Sequence, residues 1–175
     1  DIGWELPALL KEHGLCGRTL FTYWCSRCNT SFPSFYQDAK APCRGCGQMT
    51  ASLPGSNVGV SLDTLARVYN TFDVYVQWAN CEGYGLPLIE SAACGVPAVA
   101  VDYSAMSDVV RKVGGQAVAP RAFYRECSTG RDLAIPDNEG LAAALLAFLR
   151  QPAGVRARRG FLARKAAERY GGWDR

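Results

Sequence analysis

Apolar positions recur at helical spacing near the start of the chain, at Trp4, Leu6, Leu9 and Leu10. With Pro7 in the first turn and Gly14 beyond the end, this predicts a short helix over residues 4–13. Residues 19–24 are β-branched and aromatic and predict a strand. After a turn-rich return at 56–61, Ser61 stands as an N-cap. Leu62, Leu65, Tyr69 and Phe72 then mark one face of a second helix. Residues 73–78 form a nearly continuous apolar run, as in a strand of a sheet covered on both faces.

A glycine-containing loop at 79–85 leads into a helix with Pro87 near its start and Gly95 past its end. A buried strand at 97–101, a short helix at 107–112, a strand at 116–119 and a hairpin within 123–135 follow. Two helices, 139–150 and 155–169, close the chain. Strands alternating with helices imply parallel pairing, hence an α/β fold with a Rossmann-like three-layer parallel sheet. Only residues 25–53 break that rhythm. The expected organisation is therefore an α/β body made of 1–24 and 54–175, with 25–53 inserted as a small module.

Of the 175 residues, 49% are hydrophobic and 20% charged, which excludes a disordered tail. The longest apolar runs, such as 141–149, are too short to span a membrane. No basic segment followed by an apolar stretch marks a secretory signal. The absence of an initiator Met points to a mature product or a piece of a longer protein. A net charge of +3 and a pI near 8.5 are too mild to imply nucleic acid as a partner. The basic run of Arg150, Arg156, Arg158, Arg159, Arg164, Lys165 and Arg169 lies in an Ala-rich helical stretch and reads as a solvated face.

Eight cysteines change the picture. Cys25 and Cys28 form one C-x2-C pair and Cys43 and Cys46 another, fourteen residues apart. Such knuckles can bring four thiolates onto one tetrahedral zinc, as in a zinc ribbon. Two disulfides or free thiols are the alternatives. With all four positions filled by Cys the zinc would be structural and closed, with no water to activate. Phe32, Phe35 and Tyr36 could stack on nucleic acid. With only Arg27, Lys40 and Arg44 against Asp38, they read better as the packing of a small core. Cys16, Cys81, Cys94 and Cys127 read as buried packing residues in a reducing compartment, which places the protein in the cytoplasm.

The chemistry concentrates in Glu82-Gly83-Tyr84-Gly85-Leu86-Pro87-Leu88-Ile89-Glu90. A strand, a loop with two glycines and a helix N-terminus form a crevice where open α/β sheets bind ligands. Backbone N–H groups there favour an anion such as a pyrophosphate, and glycine lets the main chain approach it. Two carboxylates beside an anion need hydroxyls to justify them, because a carboxylate accepts strong hydrogen bonds from a vicinal diol. A sugar nucleotide carries hydroxyls at both ends and a diphosphate between. Asp102 and Ser104 follow a strand, where lining the cleft and forming a turn both fit. Cys81 has no nearby His and reads as packing.

Residues 65–110 resemble the donor-binding C-terminal domain of group 1 glycosyltransferases, which have the GT-B fold and retain anomeric configuration. The resemblance rests on Tyr69-Asn70-Thr71-Phe72-Asp73-Val74-Tyr75-Val76, on Glu82 and Glu90 as an E-x7-E motif, and on Cys94-Gly95-Val96-Pro97-Ala98-Val99. Gly3-Trp4-Glu5-Leu6-Pro7 and residues 141–149 resemble flanking parts. The resemblance implies that Glu82 contacts the transferred sugar as the catalytic residue. Gly83, Tyr84, Gly85 and Leu86 would hold the diphosphate of a nucleoside-diphosphate sugar, and Glu90 the ribose. The acceptor is left open among a saccharide, a lipid and a protein, and the resemblance implies that no catalytic metal is needed. The acceptor-binding N-terminal domain and the first strand–helix unit of the donor domain, with its basic residues, have no counterpart here. The expectation is a chain that folds, binds nucleotide weakly and does not turn over alone. A different class of reading is a zinc-ribbon nucleic-acid-binding module on a non-catalytic α/β body.

Overall fold

A computed structural model of the chain describes residues 5–37, 40–55 and 59–170. Gly3, Trp4, Asp38 and part of the 56–61 return lie outside the described residues. The chain divides into two compact units, Asp1–Leu65 and Ala66–Arg175.

The first unit holds α1 (Leu6–Glu12), β1 (Phe21–Cys25), β2 (Ser31–Ser34) and β3 (Ala51–Ser52). Pro7 sits in the first turn of α1, where its missing N–H costs nothing, and Gly14 lies just beyond at a φ of +64°. The strands form an antiparallel sheet in the order β2-β1-β3. The strand expected at 19–24 is thus the centre of the cysteine sheet and no part of a parallel α/β sheet. Its partners are Ser31–Ser34 and Ala51–Ser52. Tyr23, Cys25, Phe32, Ala41, Cys43 and Ala51 form the core of this unit, in which Tyr23 and Phe32 stack with ring centroids 6.0 Å apart. Phe32 therefore packs inward, while Phe35 is exposed.

The helix α2 (Leu62–Tyr69) contains the boundary between the units. Ser61 Oγ accepts from the Thr64 N–H at 3.2 Å, the N-cap expected of it. Of the apolar face read for this helix, Tyr69 is buried but Leu62 is 82% exposed.

The second unit contains β4 (Tyr75–Gln77), α3 (Leu86–Ala93), β5 (Ala98–Val101), α4 (Ser104–Lys112), β6 (Gln116–Val118), β7 (Ala122–Arg125), β8 (Asp132–Ile135), α5 (Asn138–Leu149) and α6 (Ala153–Tyr170). Its fold is α/β. Strands β4, β5 and β6 pair in parallel in that order, and β7 and β8 form the expected hairpin. The central strand β5 is buried at all four residues, whereas β4 is half-buried throughout. The run at 73–78 is therefore an edge strand among the described residues, and not one covered on both faces. Helices α3 and α4 pack on the sheet, α6 packs on α3, and α5 packs on β5 and β6. Leu88, Ile89, Val101, Met106, Val109 and Val110 anchor the core.

Arg156 Nη1 donates to the carbonyls of Leu149 and Gln151, and Arg159 lies over the Phe148 ring. Arg164 and Lys165 pair with Glu168, so much of the basic run is spent within the two closing helices. The single cysteines are not the buried residues expected: Cys16, Cys81 and Cys127 are exposed and Cys94 is half-buried. Each exposed one lies in a turn or loop, outside the apolar pattern that fills a core. Among the described residues no helix is long and apolar enough to cross a membrane.

Candidate functional site

Strand β4 ends at Gln77, and the loop after it carries Glu82 into the N-terminus of α3, where Gly85 is the N-cap residue at a φ of +84°. Gly85 is buried, and an added Cβ would press on Leu88 Cδ1 at 3.3 Å, so the turn itself requires glycine. At Gly83 an added Cβ would meet open space. The fold makes no such demand there. Among the described residues the amides of Tyr84, Gly85 and Leu86 carry no hydrogen bond. The Gly83 N–H donates to Glu82 Oε1 at 2.9 Å. Tyr84 and Leu86 expose much of their side chains.

Each acid is held from a different element. Gln77 Nε2 donates to Glu82 Oε2 at 3.1 Å, and the Tyr75 hydroxyl donates to Gln77 Oε1 at 2.5 Å. Glu90 lies one turn into α3 and accepts from the Tyr69 hydroxyl at 3.0 Å. The Tyr69 and Tyr75 rings meet edge to face, centroids 5.7 Å apart. The E-x7-E acids thus sit at the two ends of one chain of contacts, Glu90–Tyr69–Tyr75–Gln77–Glu82. Burial first, then the charges of Glu90 and Glu82, pushes the Tyr75 hydroxyl up to about 12. It stays a neutral donor at physiological pH. Sequence reasoning missed Tyr69, Tyr75 and Gln77 as site residues. Their common signal was only the polar end on each otherwise apolar position.

Ser104, the first residue of α4, has a φ of +51°, a left-handed conformation uncommon for serine, and its Oγ accepts from the Glu82 N–H at 2.9 Å. Asp102 accepts from Arg111 and Ser107, both at 2.6 Å, chiefly through the first of which its carboxyl is held below the usual range. Glu82, Gly83, Tyr103, Ser104, Arg131 and Asp132 line a cavity of 390 Å³ in this unit. The arrangement offers hydroxyl acceptors at both ends and uncommitted amides between them, which suits a ligand that is polyhydroxylated and anionic.

In the first unit the four knuckle cysteines converge. The Sγ atoms of Cys25, Cys28, Cys43 and Cys46 all lie within 4.8 Å of one another, with Cys25–Cys46 at 3.8 Å and Cys28–Cys43 at 3.5 Å. Tetrahedral zinc with Zn–S near 2.3 Å spaces its sulfurs about 3.8 Å apart, so the set fits that ion. The two knuckles repeat one turn: the N–H groups of Asn29 and Gly47 return to the carbonyls of Cys25 and Cys43, and both residues have positive φ. Thr50 Oγ1 lies 3.0 Å from Cys25 Sγ, and Thr30 Oγ1 3.2 Å from Cys28 Sγ. These hydroxyls lower both thiols, Cys25 to about 6. Such outer contacts orient metal ligands.

The family model for group 1 glycosyl transferases matches residues 58–158. The chain is 35% identical over 82 residues to a phosphatidyl-myo-inositol mannosyltransferase from Propionibacterium freudenreichii, a match covering 41% of this chain and 22% of that protein. The chain thus spans about a fifth of the length of that curated relative. It is also similar to a chain in the crystal structure of a GtfA/B complex, with 19% identity and a TM-score of 0.45, over 61% of this chain and 20% of that one. The matched family region begins after the four-cysteine cluster and contains both acids and the loop between them. This chain belongs to the group 1 glycosyltransferases.

Proposed function

We propose that the second unit of this group 1 glycosyltransferase binds a nucleoside-diphosphate sugar and presents it for transfer with retention of configuration. The observation that carries this is the pair Glu82 and Glu90, set on either side of the loop amides and each oriented by its own donor, Gln77 and Tyr69. Glu82 accepts from hydroxyls of the transferred sugar, and the amides of Gly83 to Leu86 hold the diphosphate. On binding, the Gly83 N–H exchanges its bond to Glu82 for one to phosphate. Glu90 accepts from the ribose diol. Rate acceleration comes from positioning the donor and stabilising the departing diphosphate. An open Gly83, where the fold tolerates a Cβ but a bound phosphate would not, supports the same reading.

The acceptor, a saccharide, lipid or protein hydroxyl, is supplied from outside this unit, and the 175-residue chain alone binds donor without turning it over. The cluster of Cys25, Cys28, Cys43 and Cys46 holds one structural zinc, in a reducing compartment such as the cytoplasm, where its thiols stay available. Zinc there supplies cross-linking for a short segment that has little core of its own, and no step of transfer passes through it.

The test is a thermal-shift panel of UDP-, GDP- and ADP-sugars on the chain. One nucleotide series raises the melting temperature, as mass action requires of a ligand that binds only the folded state. The rise is lost in Glu90→Gln. Absence of a shift with all three series overturns the reading.

A further inference from the structure

We infer that Arg131, on the β7–β8 hairpin, is the cation that binds the phosphates of the donor. The inference rests on the donor-binding reading and adds to it a residue from an element that reading does not use. The loop between Glu82 and Glu90 brings amides to a diphosphate but also two negative charges, so a cation must come from elsewhere.

The cavity beside Glu82 supplies it. Glu82 and Asp132 are the carboxylates on its wall, with Arg131 the cation. Asp132 is already taken by Arg125, Nε to Oδ1 at 3.0 Å. Glu82 is held by Gln77 and by the Gly83 N–H. Among the described residues the Arg131 guanidinium makes no hydrogen bond and no ion pair. Arg131 lines the cavity with its charge uncommitted.

Its position is fixed by three ties. Asn80, two residues before Glu82, bonds Ala134 of β8 twice: its carbonyl accepts the Ala134 N–H at 2.9 Å and its Nδ2 donates to the Ala134 carbonyl at 2.8 Å. Tyr103, the residue before Ser104, donates its hydroxyl to the Asp132 carbonyl at 2.5 Å and meets the Phe123 ring at 5.1 Å. The turn between the strands is closed by the Gly130 N–H to the Glu126 carbonyl and the Glu126 N–H to the Arg131 carbonyl, both 2.8 Å. The hairpin is thereby clamped to the segments that carry Glu82 and Ser104. A guanidinium there can bind two phosphate oxygens side by side while Glu82 accepts from sugar hydroxyls, so one cavity accommodates both parts of a sugar phosphate.

Calorimetric titration of the full chain with ADP, UDP and GDP, and with adenosine, uridine and guanosine, tests this. In wild type one diphosphate binds more tightly than its nucleoside. Arg131→Gln weakens that diphosphate about tenfold and leaves the nucleoside unchanged, while Glu90→Gln weakens both. Arg131 is exposed, so its replacement does not threaten folding. Diphosphate binding that is equal in wild type and Arg131→Gln overturns the role of Arg131 and leaves the donor reading standing. If wild type binds none of the three diphosphates, the donor reading falls and the inference with it.

Discussion

The Tyr69 hydroxyl donates to Glu90 Oε2 at 3.0 Å from a side chain only 6% exposed. Burial, reinforced by Glu90, raises the hydroxyl far above the ordinary tyrosine range. Tyr69 therefore acts as a fixed donor that aims one carboxylate oxygen and leaves the other free. Tyr69→Phe removes the bond and little else, which costs about 1 kcal/mol of stability. It also frees Glu90 to rotate. The expected result is lost discrimination between a nucleoside diphosphate and its 2′-deoxy analogue, measured by calorimetry. Unchanged discrimination would mean Tyr69 serves packing alone.

Gly85 answers a demand of the fold, whereas Gly83 answers one only of the proposed ligand. Gly85→Ala forces a side chain into a φ of +84° and against Leu88, a loss of about 1–2 kcal/mol in urea unfolding. Gly83→Ala meets open space, so stability holds or rises by a few tenths of a kcal/mol. Nucleoside-diphosphate affinity should nevertheless fall in Gly83→Ala, because its Cβ would occupy the path of approach. Equal affinity in wild type and Gly83→Ala would remove the phosphate from this part of the loop.

The candidate site was legible in the sequence because its acids and glycines lie within nine consecutive residues, where spacing alone fixes their relation. The partners were not. Tyr69, Gln77 and Ser104 come from α2, β4 and α4, and only folding brings them to Glu90 and Glu82. The start of α4 was placed three residues late for a related reason: Tyr103 makes no side-chain cap, and Ser104 enters the helix from a left-handed conformation. The strand expected at 19–24 forms at Phe21–Cys25, yet aromatic and β-branched composition does not say which sheet receives it. Its register with Ser31–Ser34 does.

Zinc removal should affect the two units unequally. Among the described residues the cysteine sheet has a core of six buried residues, two of them Cys25 and Cys43 of the proposed zinc site. A strong chelator should abolish its amide dispersion in NMR spectra, while far-UV dichroism from α3 to α6 persists. Metal analysis should return one zinc per chain, and none in Cys28→Ser/Cys43→Ser. Loss of all helical signal on chelation would contradict independence of the second unit.

Acid should weaken the second unit through Asp102. Arg111, then Ser107, hold its carboxyl below the usual 3.8. A depressed carboxyl contributes stability that is complete above its unfolded pKa and is lost as pH falls through the folded one. Since the Arg111 side chain is 54% exposed, solvent screening keeps the contribution small. Asp102→Asn should therefore be less stable than wild type at pH 7, and the gap should close below pH 3.8 in urea titrations.

The close approach of α6 to the end of α3 gives a prediction opposite to helix propensity. Gly160 lies mid-helix in α6, where alanine ordinarily gains about 1 kcal/mol. Here an added Cβ would stand 2.3 Å from the Gly95 carbonyl oxygen. Gly95 has a φ of +77° and follows directly on the helix that carries Glu90, so its backbone cannot retreat without disturbing that turn. Overpacking of this kind costs roughly 1–3 kcal/mol, which cancels or exceeds the propensity gain. Gly154, near the start of the same helix, has open space around it. In urea unfolding Gly154→Ala should be neutral or mildly stabilising, and Gly160→Ala should lower the midpoint. Because α6 backs α3, Gly160→Ala should also weaken nucleoside-diphosphate binding, although it lies on neither the loop of Glu82 nor the helix of Glu90. A Gly160→Ala chain as stable as Gly154→Ala would show that the two helices have room to part.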